Sequence, residues 1–139
     1  MIKKKSNNWD DKKSFHVEVP LFKVDILFMC DLSESEIPIH IKRFSGEENF
    51  KEFDQRSIKG WDHPTSEGRE IDFLGGFIVL AKNKNGNFRE FISILVHEIT
   101  HVTHYLLRNR RIPLTVHTEE LYCYLTEYLT EQALIKLYD

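Results

Sequence analysis

The sequence predicts an α+β domain: a small sheet, mixed or antiparallel, with two helices packed together upon it. Three observations predict it. Short runs of β-branched and aromatic residues fill the first half of the chain, and apolar residues recur at helical spacing after Asn87 and again after Thr118. With 41% hydrophobic and 29% charged residues in 139, the chain can build one core, and no repeat or linker marks a second domain. The domain is expected over residues 15–139.

The lysine-rich stretch from Met1 to Ser14, with its lone Trp9, reads as a flexible tail, and Asp10 and Asp11 interrupt its basic character. His16-Val17-Glu18-Val19 and Phe22 to Phe28 then alternate as strands do, separated by Pro20. His16 belongs on a strand surface. Ile37 to Phe44 suits a short strand or the approach to a helix, and Gly46 to Ile58, with Phe50 and Phe53 three apart, suits a short surface helix. Gly60 to Gly68 is turn-rich and reads as a loop, so Asp62 and His63 are expected in solvent despite their ligand chemistry. Ile71 to Lys82, largely apolar after Gly75-Gly76, is the clearest strand. A strand bordering a cleft there would offer its backbone edge to an extended peptide. Residues Asn83 to Asn87 turn the chain into the next helix.

That helix carries the most informative stretch, His97-Glu98-Ile99-Thr100-His101, the pattern HExxH. Asn87 is a favourable N-cap with Glu90 three residues on, and Phe91, Ile94, Leu95, Val102, Tyr105 and Leu106 follow at helical spacing. Residues four apart lie about 40° apart around a helix, so His97 and His101 project side by side and can share one metal ion. Glu98 is turned about 100° from His97, away from a third ligand position and toward a general-base role on water activated by the metal. The spacing is that of a zinc-hydrolase helix. Arg108, Arg110 and Arg111 suit its C-terminal end, and Pro113 stops it.

Catalytic zinc usually has three protein ligands and one open position. The tail supplies a candidate. Thr118 to Leu137 reads as an amphipathic helix with Thr118 as N-cap, Glu119 and Glu120 in its first turn, and a stripe of Leu121, Tyr124, Leu125 and Tyr128. Glu120 flanks that stripe and is the expected third ligand; Glu119, which points away, and His104 are the alternatives. Carboxylates in a first turn also complement the helix dipole without binding anything.

His97-Glu98-x-x-His101, a basic connector with Pro113, and Glu119-Glu120-Leu121-Tyr122-Cys123-Tyr124-Leu125 resemble the small zinc metallopeptidases of phages and related mobile elements. Cys123 and Tyr124 match the small and aromatic positions of that family's second helix, and Gly75-Gly76-Phe77-Ile78-Val79-Leu80 its strand before the zinc helix. The resemblance spans about residues 70 to 137. It implies a minimal zincin-like fold with a gluzincin-like site of two histidines and a glutamate.

The expected function is therefore hydrolysis of a peptide or protein substrate, with one zinc on His97, His101 and Glu120 and with Glu98 as base. A donor for the tetrahedral oxyanion is also needed. Tyr124 is named first, ahead of His104 and His117, although all three also suit structural roles. A closed site completed by His104 or His117 would instead mark a binding or regulatory module with structural zinc. Activated water would equally attack a non-peptide amide or ester. The net charge of −3 does not suggest a nucleic-acid partner. No apolar run approaches a membrane span and no signal-peptide core follows Met1, so a cytoplasmic protein with Cys30 and Cys123 reduced is expected, in a bacterial host if the chain is of phage origin.

Overall fold

A computed structural model of the protein describes residues 14–33, 35–37, 39–41, 66–71, 76–82 and 86–138. Among these residues four strands form one sheet: β1 (Ser14–Val19), β2 (Val24–Cys30), β3 (Glu67–Ile71) and β4 (Gly76–Ala81), in the order β1-β2-β4-β3. The sheet is mixed. β1 pairs antiparallel with β2, β2 parallel with β4, and β4 antiparallel with β3. Pro20–Phe22 turns β1 into β2 as one 3-10 turn, which Lys23 closes in the left-handed conformation at φ 54°. The expected tail from residue 1 and the expected helix over 46–58 lie outside the described residues, except that Ser14 already opens β1.

Alternation along β1 has the physical meaning read from the sequence, because Phe15, Val17 and Val19 are buried while His16 and Glu18 are exposed. β2 and β4 differ. Nearly every residue in them is buried, the mark of interior strands covered on both faces. On one face Ile26, Phe28, Cys30, Phe77, Val79 and Ala81 join the core cluster with the helices, and Phe15 stacks on its cross-strand partner Phe28 at 5.1 Å. The alternate residues Leu27, Met29, Ile78 and Leu80 are buried on the opposite face, and Leu32, Ile37 and Ile41, which follow β2 in sequence, are buried too. Residues 37 and 39–41 are helical, which decides the ambiguous run after Ile37.

Two strand expectations are corrected. Ile71 to Lys82 is not one strand: β3 ends at Ile71 and β4 begins at Gly76. The supposed loop to Gly68 contains the start of β3, hidden because Glu-Gly-Arg-Glu-Ile has only one apolar residue to announce a strand. As a consequence β4 lies inside the sheet, and among the described strands β3 stands at the edge beside it, against α1 (Phe88–Asn109).

Helix α1 (Phe88–Asn109) begins as its cap predicts. Asn87 has extended dihedrals and its side-chain oxygen accepts from the Glu90 N–H at 3.1 Å. Phe91, Leu95, Ile99, Val102 and Leu106 are buried along it. At its end the Arg111 N–H donates to the Arg108 carbonyl at 2.8 Å and the Ile112 N–H to Leu107 at 2.9 Å, a Schellman closure. Arg111 holds the left-handed position there at φ 62°, where glycine is usual. Arg110 anchors this corner by donating to the Phe22 carbonyl at 2.9 Å.

Helix α2 (Glu119–Tyr138) runs back along α1. Phe88 meets Tyr138, Thr103 meets the Thr126 hydroxyl at 3.1 Å, and His104 meets Tyr122, so positions on the two helices pair in reverse order. Its buried residues are Tyr122, Leu125, Leu129 and Ala133, not the predicted stripe. Only Leu125 is common to both. The prediction merged two flanks, because Leu121 and Tyr128 lean toward the end of β1, where the Tyr128 hydroxyl donates to the Glu18 carbonyl at 2.8 Å. Thr118 precedes the helix, yet its hydroxyl bonds the Thr115 N–H and the Pro113 carbonyl and so ties the connector rather than capping α2.

Candidate metal centre

His97 and His101 stand side by side on the outer face of α1, both exposed, with ring centroids 4.9 Å apart and planes at 74°. Their position follows from the helix. The buried residues Phe91, Leu95, Val102 and Leu106 lie about 120° to 180° around the axis from His97, so the histidines edge the core without entering it. One ligand atom each from His97, Glu98 and His101 can be drawn from a set lying within 4.8 Å of one another. Tetrahedral bonds of about 2.0 to 2.1 Å separate ligand atoms by about 3.3 Å, so small side-chain adjustments bring the two imidazole nitrogens around one ion, with the Glu98 carboxylate alongside. The donor set fits zinc. Among the described residues neither imidazole has a hydrogen-bond partner, which leaves ring nitrogens of both available.

Glu98 differs from its neighbours, being 7% exposed. Burial pushes its carboxyl above the ordinary range, and the nearby Glu67 carboxylate adds to this. His97, His101 and a hydrogen bond from the Gly68 N–H act in the opposite direction and favour the anion. A carboxylate with raised basicity beside two metal-type imidazoles has the properties of a proton acceptor.

The structure does not bring the other expected residues to this place. Glu120 and Glu119 are exposed on the first turn of α2, and neither joins the cluster. Glu120 is turned about 180° from the centre of the buried stripe of α2, and the reversed pairing of the helices sets it level with the last turn of α1, beyond His101. Tyr124 is 59% exposed and lines an apolar depression with Pro20, Leu21, Phe22 and Leu121, on the β1 side of α2. His104 packs edge-on against Tyr122 at 5.0 Å; burial first, then Arg108 and His101, lowers its pKa. His117 is exposed in the connector. Asp62 and His63 lie outside the described residues.

One residue at the site was misread. Tyr105, assigned to the apolar stripe, is 37% exposed and stacks on His101 with centroids 6.1 Å apart and planes at 17°. Arg108 also lies over the Tyr105 ring, 5.3 Å from its centre. The signal was present in the sequence: Tyr105 is one turn after His101, about 80° from His97, between the histidine face and the core.

No protein-family model, no curated protein and no solved structure matches the chain. Among the described residues no helix is long and apolar enough to cross a membrane. Cys30 is buried in β2 and Cys123 exposed on α2, both as free thiols, and burial pushes the Cys30 thiol up to about 12.

Proposed function

We propose that this protein is a zinc-dependent hydrolase acting on peptide bonds, as the resemblance to the phage metallopeptidases implies. The observation that carries the reading is the cluster itself: two exposed imidazoles four residues apart beside a buried carboxylate of raised basicity. His97 and His101 would hold the ion. Zinc bound there supplies a positive charge that polarises a carbonyl and acidifies water. Glu98 takes the proton of the attacking water and returns it to the departing amine, a role that suits a carboxylate whose pKa burial has raised.

The same arrangement suggests how a peptide reaches the ion. Among the described strands β3 stands at an edge of the sheet and runs against α1 at Glu98, so an extended chain pairing with β3 passes the histidine face. Tyr105 replaces Tyr124 as the nearest phenol to that face and is the better candidate for a donor to the oxyanion. A structural-zinc module is the weaker alternative, because His104 and His117, the residues that would close the site, are not in the cluster.

The test is zinc-loaded protein incubated with a peptide library, with cleavage read by mass spectrometry. Wild type should cut and Glu98→Gln should retain zinc while losing about 100-fold or more of the rate. Equal rates in the two proteins would refute the mechanism, and cleavage of simple esters but no peptides would transfer the site to a different bond.

A further inference from the structure

We infer that Gly68 is a positioning residue for Glu98: its backbone N–H orients the carboxylate, and its lack of a side chain is what admits β3 to that distance. The inference rests on the reading of Glu98 as the base. Gly68 pairs with Val79, whose side chain joins the helix-facing core, so residue 68 presents its side-chain position to α1. A β-carbon there would overlap the Glu98 carbonyl oxygen and stand 2.9 Å from its carbonyl carbon and 3.2 Å from its Cα. These are backbone atoms of a helix turn and cannot swing aside as a side-chain tip would. Glycine inside a strand weakens it and commonly marks a place where another backbone comes close. Here the other backbone is the turn of α1 that carries both histidines.

The second contact runs to the side chain, for the Gly68 N–H lies close enough to the Glu98 carboxylate to favour its anion. One strand residue thus touches the helix turn with its α-carbon and holds the acid with its amide. A glutamate on a free helix face samples several rotamers, only some of which reach the space between the histidines. A fixed donor removes that freedom and keeps one oxygen on the strand, leaving the other for a proton. The contact also couples the two halves of the site. Any shift of β3 that spoils the peptide-binding edge withdraws the donor from the base.

Two measurements test this on the full-length, zinc-loaded protein. Gly68→Ala should keep about one zinc per chain and, on the library peptide that the wild type cuts fastest, lose at least tenfold in kcat, with a smaller change in KM, since the carboxylate is displaced while both imidazoles remain. Turnover within twofold of wild type would overturn the inference. If Glu98→Gln itself leaves turnover unchanged, the base assignment fails instead, and the two failures are told apart. Should Gly68→Ala not fold, amide hydrogen exchange decides. In Glu98→Ala the Gly68 amide should exchange at least tenfold faster while Gly86, outside the contact, is unchanged; equal Gly68 exchange in the two proteins would overturn the proposed hydrogen bond.

Discussion

Arg111 closes α1, the helix of His97 and His101, in a conformation that an L-residue resists, and replacing it measures the cost. A non-glycine side chain at a positive φ such as its 62° sets the β-carbon against a carbonyl oxygen, at about 1 to 2 kcal/mol. Glycine removes that term but adds about 0.5 to 1 kcal/mol of freedom to the unfolded chain. The guanidinium also sits near the negative end of the helix dipole, which contributes about 0.3 to 1 kcal/mol, so the clean comparison is Arg111→Gly against Arg111→Ala. Both lose the charge. Only glycine relieves the backbone, and it should be the more stable of the two by about 0.5 to 1 kcal/mol, or about 2 to 4 °C in Tm for a chain of this size. Thermal melts of the metal-free proteins, followed by circular dichroism at 222 nm, read the difference. Equal melting temperatures, or alanine above glycine, would show that the Schellman closure does not form as described.

Glu98 makes a second prediction through pH. Its folded-state pKa is raised above the ordinary 4.5, so the folded metal-free protein binds this proton more tightly than the unfolded chain does. The resulting stabilisation is complete below the ordinary value and is lost as pH rises through the folded one. Glu98→Gln, which stays neutral, should therefore be more stable than wild type at neutral pH without metal, with the advantage shrinking to nothing in urea titrations near pH 4. A constant offset at both pH values would contradict the raised pKa. Glu120 makes a third. Placed on the far side of α2 and beyond His101, it should be replaceable by alanine with zinc affinity unchanged within about twofold, as should Glu119; a loss of tenfold or more for Glu120→Ala would restore the ligand expected from the sequence.

Much of this was legible before the structure, and the reasons differ by element. Asn87 and the apolar residues of α1 act locally, so the cap, the helix and the juxtaposition of His97 and His101 followed from spacing alone. β1 and β2 announced themselves by alternation and by β-branched composition. β3 did not, because an edge strand of sequence Glu-Gly-Arg-Glu-Ile is held by pairing with β4 and by contact with α1 rather than by its own hydrophobic pattern. The face of α2 was misjudged for a related reason: it meets α1 on one flank and the end of β1 on the other, so its apolar residues nearly encircle it and no single stripe points to the His97–His101 face. Glu120 was placed by reference to the wrong stripe. The role of Gly68 was beyond reach, since a close approach of two backbones 30 residues apart leaves no trace in either segment.

The central claim is that His97 and His101 bind one zinc ion, and X-ray absorption at the zinc edge of the purified, stoichiometrically loaded protein tests it most directly. The account predicts two nitrogen ligands at about 2.0 to 2.1 Å with the outer-shell scattering of imidazole rings, the remaining ligands being oxygen, and loss of the ion in both His97→Ala and His101→Ala. Sulfur at about 2.3 Å, absence of imidazole scattering, or full zinc content in the double variant would contradict it.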